Sequence, residues 1–446
     1  LAAATTTTQP FARGDYQAAI DFLPVTTLVY YRWTHSKEEP TRKLPALIRK
    51  FDMLFGMDEL VDGWDPLPAP PKDVRTILCI PWAPGRLLEW VKVHLDDSDN
   101  NRTVVFSGRE SPLSEAWGWQ DSNRWNEMTE QYSKYFKRIY FYVTDVELEG
   151  VDTMPIGFTE SYMQGRTDSF LDAWTQASTK DTRKVHSVLA AWGKYTALGG
   201  KHLVPGSNSP GGEGGLASAW TRVANHAIDI RNDASGWSDT PEAKAAGVQR
   251  RYIEKDQWWT ELSKYKFIMV PLGSAIQCSK VPEALSMLTI PVIKRGPYRT
   301  HDDLVRMGFP IVLVEAWADI TPEATQRWWR SLSPVLLSFR ERCLSTEGYW
   351  RLLTQGGCMP PDAVSPQSTR RRSRSGTGGS PGRSAHIASG GNLTGHDAAP
   401  AAPRPSPAPS RPRIPRRSAH LASAVGSRED GGNLTAPSAA PARPVA

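Results

Sequence analysis

Five residues in and around one short stretch have types and spacing suited to chemistry: Gly273, Gln277, Lys280, Glu283 and Arg295. Lys280 and Glu283 stand three apart, so on a helix they project from one face. A lysine at a helix entry adds its charge to free N–H groups and the positive dipole end, which together favour an anion. Glu283 interrupts the apolar stripe Val281, Ala284, Leu285 and Leu288, where a carboxylate is costly to bury unpaired. Neutral hydroxyls, such as a ribose diol, would satisfy it; a salt bridge to Lys280 is the simpler alternative. Gly273 lets the backbone approach a ligand. Gln277 offers an amide at the same place, or else a helix cap. Arg295, beside Lys294, supplies a second cation for an anion.

These residues need a strand, a turn, a helix and a second strand to hold them. Tyr265–Arg295 supplies that series: an apolar run (Phe267–Val270), Pro271 and Gly273, the amphipathic segment, then Ile290–Ile293. The order is that of a βαβ crossover in a parallel sheet. In open α/β sheets ligands bind outside the carboxyl ends of the strands. Gly273–Lys280 and Lys294–Tyr298 both follow a strand directly and are expected to line a cleft. Trp192-Gly193-Lys194, after the strand Lys184–Ala191, faces the same rim or else serves as a core Trp and a turn.

Upstream, the pattern alternates as well. Leu28–Trp33 is a predicted strand, Leu44–Phe55 a helix and Trp64–Lys72 a Pro-rich connector. Strands at Arg75–Ile80, Arg102–Ser107 and Arg138–Val143 then alternate with helices at Arg86–His94 and Trp125–Phe136, with Thr153–Gly157 an edge. Residues 157–182 read as a linker, and Lys201–Ala217 as an exposed Gly/Ser-rich loop. A helix (Ser218–Ala227), a strand (Ile228–Arg231) and the helix Trp258–Tyr265 lead into the central motif. Beyond it come a helix at Asp302–Met307 and a strand at Ile311–Val314. Thr321 caps a helix Pro322–Leu332, and a last helix near Val335–Cys343 crosses back toward the first half. The expected fold is α/β: two Rossmann-like doubly wound domains followed by a disordered C-terminal tail. The boundaries are a flexible N-terminus (1–24), a first domain (25–160), a second (183–355) and the tail (360–446).

The run PLGSAIQCSKVPEALSMLTIPVIKRGP (Pro271–Pro297) resembles the nucleotide-sugar-binding half of the exostosin-like glycosyltransferases. The likeness rests on Pro271, Gly273, Lys280, Glu283, Ala284 and Ile290–Ile293, and extends to PIVLVEAWADIT (Pro310–Thr321). It covers roughly residues 183–355. Leu272, Ala275 and Lys280 depart from the Arg, Gly and Arg common in that family. The resemblance implies the two-domain GT-B architecture and transfer of a sugar from a nucleotide diphosphate, with UDP the first choice, to a glycan or glycoprotein acceptor. Gly273, Gln277, Lys280, Glu283 and Arg295 would then contact the donor. No catalytic base is identified: Glu110, Glu115 and Glu160 stand in suitable loops of the first domain, and none is preferred. The departures and the missing base leave a second reading, a non-catalytic accessory protein of the same fold. The 17 Trp residues, several in polar loops (Trp117, Trp119, Trp125, Trp237), suit sugar stacking as well as core packing.

Other classes are excluded or weakened. Neither half shows G-x-G-x-x-G after its first strand, G-x-x-x-x-G-K-[ST] is absent, and the one G-x-S-x-G, Gly378–Gly382, stands in the low-complexity segment and not between a strand and a helix. No D-x-D stands at a strand end, so neither a metal nor a cofactor beyond the sugar donor is expected. The four Cys (Cys79, Cys278, Cys343, Cys358) have no metal-site spacing, and a Cys343–Cys358 bridge is open to a lumenal protein. No run of about twenty apolar residues spans a membrane. The chain begins at Leu1, which leaves room for an upstream signal or type II anchor, and Asn101, Asn392 and Asn433 are sequons. A Golgi or secretory lumen location is expected from the resemblance.

From residue 360 the composition changes to Ala, Pro, Ser, Gly and Arg. This segment holds 12 Arg, no Lys and 4 acidic residues, so residues 1–359 carry about −2 of the chain's net +6. It repeats itself (Arg383–Pro405 and Arg417–Pro444) without apolar periodicity, and cannot bury enough surface to offset chain entropy. The cluster Arg370–Arg374 suggests an RNA or anionic-membrane binder as a third class, yet it lacks interleaved aromatics and nucleic acid is not expected as a partner. Deleting residues 360–446 is expected to leave the melting temperature unchanged, and limited proteolysis to trim the chain to an end near 345–360. A protease-resistant fragment containing Arg383–Pro444 would refute this.

Overall fold

The computed structural model describes residues 9–27, 44–56, 73–81, 83–107, 111–118, 121–180, 183–192, 219–273 and 276–359. The expectations for Leu28–Trp33, Trp64–Lys72, Lys201–Ala217 and the tail lie outside the described residues. Two five-stranded sheets, both wholly parallel, organise the rest within one compact unit.

The first sheet comprises β1 (Met53–Phe55), β2 (Thr76–Cys79), β3 (Thr103–Phe106), β4 (Arg138–Phe141) and β5 (Val151–Thr153). Its strands lie in sequence order, without the reversal of a doubly wound sheet. Helices α1 (Pro84–His94) and α2 (Ser122–Ser133) connect β2, β3 and β4. Two right-handed crossovers running in one direction put both helices on the same face. Alternation along β4 shows what covers each side. Phe141 stacks with Phe106, whose ring meets Tyr132 of α2 edge-on. Tyr140, pointing the other way, donates its hydroxyl to Leu352 O at 3.1 Å. The second face is therefore covered by a helix from the far end of the chain.

The second sheet comprises β6 (His186–Ala190), β7 (Val248–Arg250), β8 (Tyr265–Met269), β9 (Ile290–Lys294) and β10 (Val312–Val314), in the order β10-β9-β8-β6-β7. That is a doubly wound order, with the reversal between β6 and β8. The strands of the central motif fall where the pattern put them. Phe267, Ile268 and Met269 pair with Ile290, Pro291 and Val292, all of them buried.

Several elements differ from expectation. Leu44–Phe55 is not one helix: Ala46–Arg49 forms a single turn and β1 follows. Residues 9–24 are ordered, with a helix Tyr16–Phe22 capped by Asp15 and with Ala19, Ile20 and Leu23 buried. Residues 157–182 are no simple linker. They carry a strand, Phe158–Thr159, that pairs with Val25–Thr27, and the helix α3 (Thr167–Gln176). Phe170 of α3 is fully buried and meets Trp259 edge-on at 5.2 Å. The predicted strand Ile228–Arg231 lies inside a 20-residue helix, α4 (Ala219–Ser238). Its apolar residues Ala227, Ile230 and Ala234 form a buried helical stripe, so the β-branched pair at 228 and 230 misled.

Helices α5 (Trp258–Leu262), α6 (Lys280–Ser286) and α7 (Thr300–Arg306) flank the central motif. The two predicted C-terminal helices are one, α8 (Pro322–Cys343), running through Pro334. Thr321 caps it by accepting from Ala324 N at 3.1 Å, as the sequence indicates. The return to the first half is made by α9 (Thr346–Gln355), whose Tyr349 donates to Ile156 O at 2.8 Å.

A disulfide joins Cys343 at the end of α8 to Cys358 just beyond α9, across 15 residues. Closing a loop of that length removes unfolded-chain entropy worth about 3 kcal/mol. The double substitution Cys343→Ser/Cys358→Ser is expected to lower stability by roughly that amount in urea titrations. Treatment with a reductant should do the same to the native chain and nothing to the variant.

Candidate functional site

The two sheets meet through the segments that leave the carboxyl ends of their strands. Tyr142, Val143 and Ile156 of the first sheet pack with Val223 of α4 and Ile276 of the β8–α6 segment. Gln277 is the central tie. Its Nε2 donates to Tyr142 O at 2.7 Å and Met154 O at 2.8 Å, and its Oε1 accepts from Ile156 N at 2.8 Å. Nearby, Thr300 of α7 donates to Thr144 O at 3.1 Å, and the buried Asp303 accepts from Thr153 Oγ1 at 2.7 Å and from Arg299 and Arg306. The carboxyl edges therefore face one another, which is where a ligand of a parallel sheet belongs.

The reversal between β6 and β8 marks the most favourable crevice on the second edge. Trp192 and the turn Val270–Gly273 flank it, and the C-terminal half of α4 is stitched across it. Trp192 Nε1 donates to Ser235 Oγ at 3.0 Å, Arg231 Nε donates to Leu272 O at 2.8 Å, and Lys294 pairs with Asp233 at 2.5 Å. Gly273 is needed because a Cβ there would stand 2.6 Å from Gln277 O. The turn that re-aims the chain toward Gln277 closes on itself at that point. Gly193 and Lys194 lie outside the described residues.

The predicted site residues separate into three situations. Gln277 is buried and its amide is committed to three backbone groups, so it binds the two sheets together and has no donor left for a ligand. Arg295 stands at the rim, paired with Asp302 and Glu315 at 3.3 Å each. Lys280 and Glu283 do share the first turn of α6, but Trp258 stands between their roles. Trp258 Nε1 donates to Glu283 Oε2 at 2.6 Å, and Lys280 Nζ lies 5.1 Å from the centre of the same indole. Burial pushes the Glu283 carboxyl up, against Lys280's charge and the Trp258 and Ser279 hydrogen bonds. A carboxylate has about four acceptor positions, so Trp258 and Ser279 leave it capacity for hydroxyl donors. As α6 is only 7 residues long, its dipole adds little to Lys280.

A second group on the same edges went unrecognised in the sequence: Asp145, Arg222, His226 and Tyr298. Asp145 follows β4 and accepts from Ser114 N at 3.0 Å and Ser114 Oγ at 2.5 Å, while burial raises its carboxyl. His226 of α4 meets the Tyr298 ring edge-on at 5.5 Å, and burial lowers its imidazole. Its Nε2 is buried without a hydrogen-bond partner, and a Cβ at Gly296 would press it at 3.0 Å. Burial and Asp145's charge push the Tyr298 hydroxyl up to about 12. No local signal marks this group, because its members come from three separated segments. Of the earlier base candidates, Glu110 lies outside the described residues, as does the side chain of Glu160; Glu115 stands in the short helix Leu113–Ala116. Trp117, offered as a stacking platform, is buried against Phe106 and Tyr132. Trp125 is half-buried with Nε1 donating to Ser114 O, and Trp237 is half-buried against the core; Trp119 is not among the described residues.

Among the described residues no group of three or more His, Cys, Asp or Glu is placed to hold a metal ion, and no helix is long and apolar enough to cross a membrane. Comparison of the chain with protein-family models returns no match, and comparison with curated proteins returns none.

Burial of Glu283 has a consequence that is measurable in solution. A carboxyl whose pKa is raised on folding binds its proton more tightly in the native state, so stability falls as pH rises from the ordinary value of 4.5 through the raised one. Glu283→Gln keeps the Trp258 hydrogen bond and removes this loss. The variant should melt higher than wild type at pH 7.5, the two converging below pH about 4.5. Equal melting temperatures at both pH values would show the carboxyl to be unperturbed.

Proposed function

We propose that the chain is a glycosyltransferase of the two-sheet GT-B type that moves a sugar from a nucleotide-diphosphate donor, in the first instance a UDP-sugar, to a glycan or glycoprotein acceptor. The observation that supports this best is the meeting of two parallel sheets through their carboxyl-end segments. A second sheet of doubly wound order then carries the exostosin-like residues at that edge. In this reading Lys280 and the rim cation Arg295 neutralise the diphosphate, and Glu283 accepts from hydroxyls of the donor. Gly273 shapes the turn under it, while Gln277 holds the edges at a fixed separation instead of touching the donor. No metal is assigned a part.

The second group supplies candidates for the base, a carboxylate (Asp145) from the first sheet's edge and an imidazole (His226) from α4. A general base must be able to accept a proton near neutral pH. Burial holds His226 below its ordinary value, and therefore neutral there, which suits that role. The Cys343–Cys358 bridge supports an oxidising compartment such as the secretory lumen.

A non-catalytic accessory protein of the same fold is the second reading. It is favoured by the donors already given to Glu283 by Trp258 and Ser279 and by the departures at Leu272 and Ala275. Titration of UDP separates a nucleotide site from none. Wild type is expected to bind, and Glu283→Ala and Lys280→Ala to bind roughly ten- to a hundredfold more weakly, the cost of one charge-assisted hydrogen bond. Unchanged UDP affinity in both variants would sink the site assignment, and absence of UDP and GDP binding to folded wild type would sink the function. Release of UDP from a UDP-sugar in the presence of acceptor distinguishes the enzyme from the accessory protein.

A further inference from the structure

Of the three N-x-[ST] triplets in the chain, Asn101–Thr103 lies among the described residues; those at Asn392 and Asn433 lie outside them. It ends the connection from α1 to β3, at the amino end of the first sheet. The other polar groups of that connection hold it from within. Asp96 accepts from Ser98 N at 2.9 Å, and Asp99 accepts from Asn101 N at 3.0 Å and pairs with Arg75. Arg102 turns inward and is buried. Its guanidinium donates to Val74 O at 3.1 Å, to Asp96 O at 2.9 Å and to Asp99 O. Asn101 stands outside this set. It is exposed, and its side-chain amide has no hydrogen-bond partner among the described residues.

We propose that Asn101 is a modification site and carries an N-linked glycan. The proposal goes beyond the glycosyltransferase reading and does not depend on it. It uses only the oxidising compartment that the Cys343–Cys358 bridge supports, where N-x-[ST] triplets on surface loops are acceptors. The middle residue, Arg102, is not the proline that would forbid this. In the transfer, Asn101 Nδ2 attacks the anomeric carbon of a lipid-linked diphospho-oligosaccharide. The new N–C bond forms as the C–O bond to the diphosphate breaks. The lipid diphosphate leaves with that electron pair, and the amide gives up one proton to a base of the transferase. Thr103 sets the order of events. It is the first residue of β3, is 4% exposed, and stands in register with Thr76 and Arg138 on the neighbouring strands. The triplet is therefore open to a transferase only before β3 is laid between β2 and β4. When the strand closes, Thr103 goes inside and Asn101 stays on the surface, so the folded chain accommodates the glycan without losing buried contacts. The glycan sits at the amino ends of the strands, away from the carboxyl edge that Gln277 ties to the second sheet.

Expression of the full chain behind a cleavable secretory leader in a eukaryotic cell tests this, with medium and cell extract both analysed. Peptide N-glycosidase converts a glycosylated Asn101 to Asp, and mass spectrometry of the peptide containing residue 101 reads the conversion. Wild type and Thr103→Ser are expected to show it, and Thr103→Val to show none. Asn101→Gln should run faster than wild type on a denaturing gel by the mass of one glycan, and the two should differ no longer in that respect after the glycosidase. Because the modification precedes folding, a variant that folds poorly still reports on it. The leader delivers the chain whatever its activity, so the result is independent of whether UDP binds. An unmodified Asn101 in wild type, a modified Asn101 in Thr103→Val, or equal mobility of untreated wild type and Asn101→Gln overturns the proposal.

Discussion

The amide of Gln277 is the constraint on which the relation of the two sheets depends. It fills three backbone positions, two carbonyls and one N–H, that belong to the segments after β4 and β5. Each such bond adds only about 1 kcal/mol net, but an unmade one leaves a buried group that costs about 1–3 kcal/mol. The tie is therefore strong chiefly in what its loss would leave behind. Asp303 reinforces it from α7, joined to Thr153 and to Arg299 and Arg306. With both sets made, the carboxyl edges of the sheets are held against each other. The separate positions of Gln277 and Glu283, six residues apart on one segment, follow from this: one faces the neighbouring sheet and the other faces α5.

Buried cations complete the positioning of α6. At its C-terminal end Lys184 donates to Met287 O and Arg340 to Ser286 O at 3.3 Å, so two positive groups meet the last free carbonyls of the helix. Arg340 also donates to Trp174 O at 2.9 Å and stacks 4.4 Å from that ring's centre, while burial brings its guanidinium down to about 10. Burial likewise lowers the ammonium of Lys184, with Arg340's charge acting in the same direction. Neither cation has a carboxylate partner among these contacts. Their compensation is carbonyl dipoles, an arrangement that anchors the helix from behind while its first turn presents Lys280 and Glu283. Anchoring from the rear fixes the position of that first turn against Trp258.

Trp258 changes the meaning of the Lys280–Glu283 pair. A spacing of three suggests either a salt bridge or a shared ligand. The indole instead takes a place against both, donating to the carboxylate and offering its face to the ammonium. Lys280 is thus directed by an aromatic surface, with an energy of about 0.5–2 kcal/mol depending on exposure. Glu283 is held by a donor that no local pattern could associate with it, 25 residues earlier in the chain. Both residues thereby have a structural role that their spacing alone does not indicate.

What the sequence determined by itself is the local order of elements. Strands β2, β3, β4, β6, β8 and β9 are short apolar runs bounded by turns, and the Thr321 cap with Pro322 is a matter of adjacent residues. Hydrophobic periodicity and turn chemistry act over a few residues, so these were legible. The tertiary structure decided everything that depends on distant partners. It made α4 continuous through Ile228–Arg231, joined α8 across Pro334 and ordered residues 157–180 by packing Phe170 against Trp259. It gave the first sheet its unreversed order, because strand neighbours are chosen by crossovers and faces rather than by the strands' own residues. The grouping of Asp145, His226 and Tyr298 and the redirection of Gln277 have the same origin. A side chain's type limits the bonds it can make, but only the folded chain brings up the partner with which it makes them.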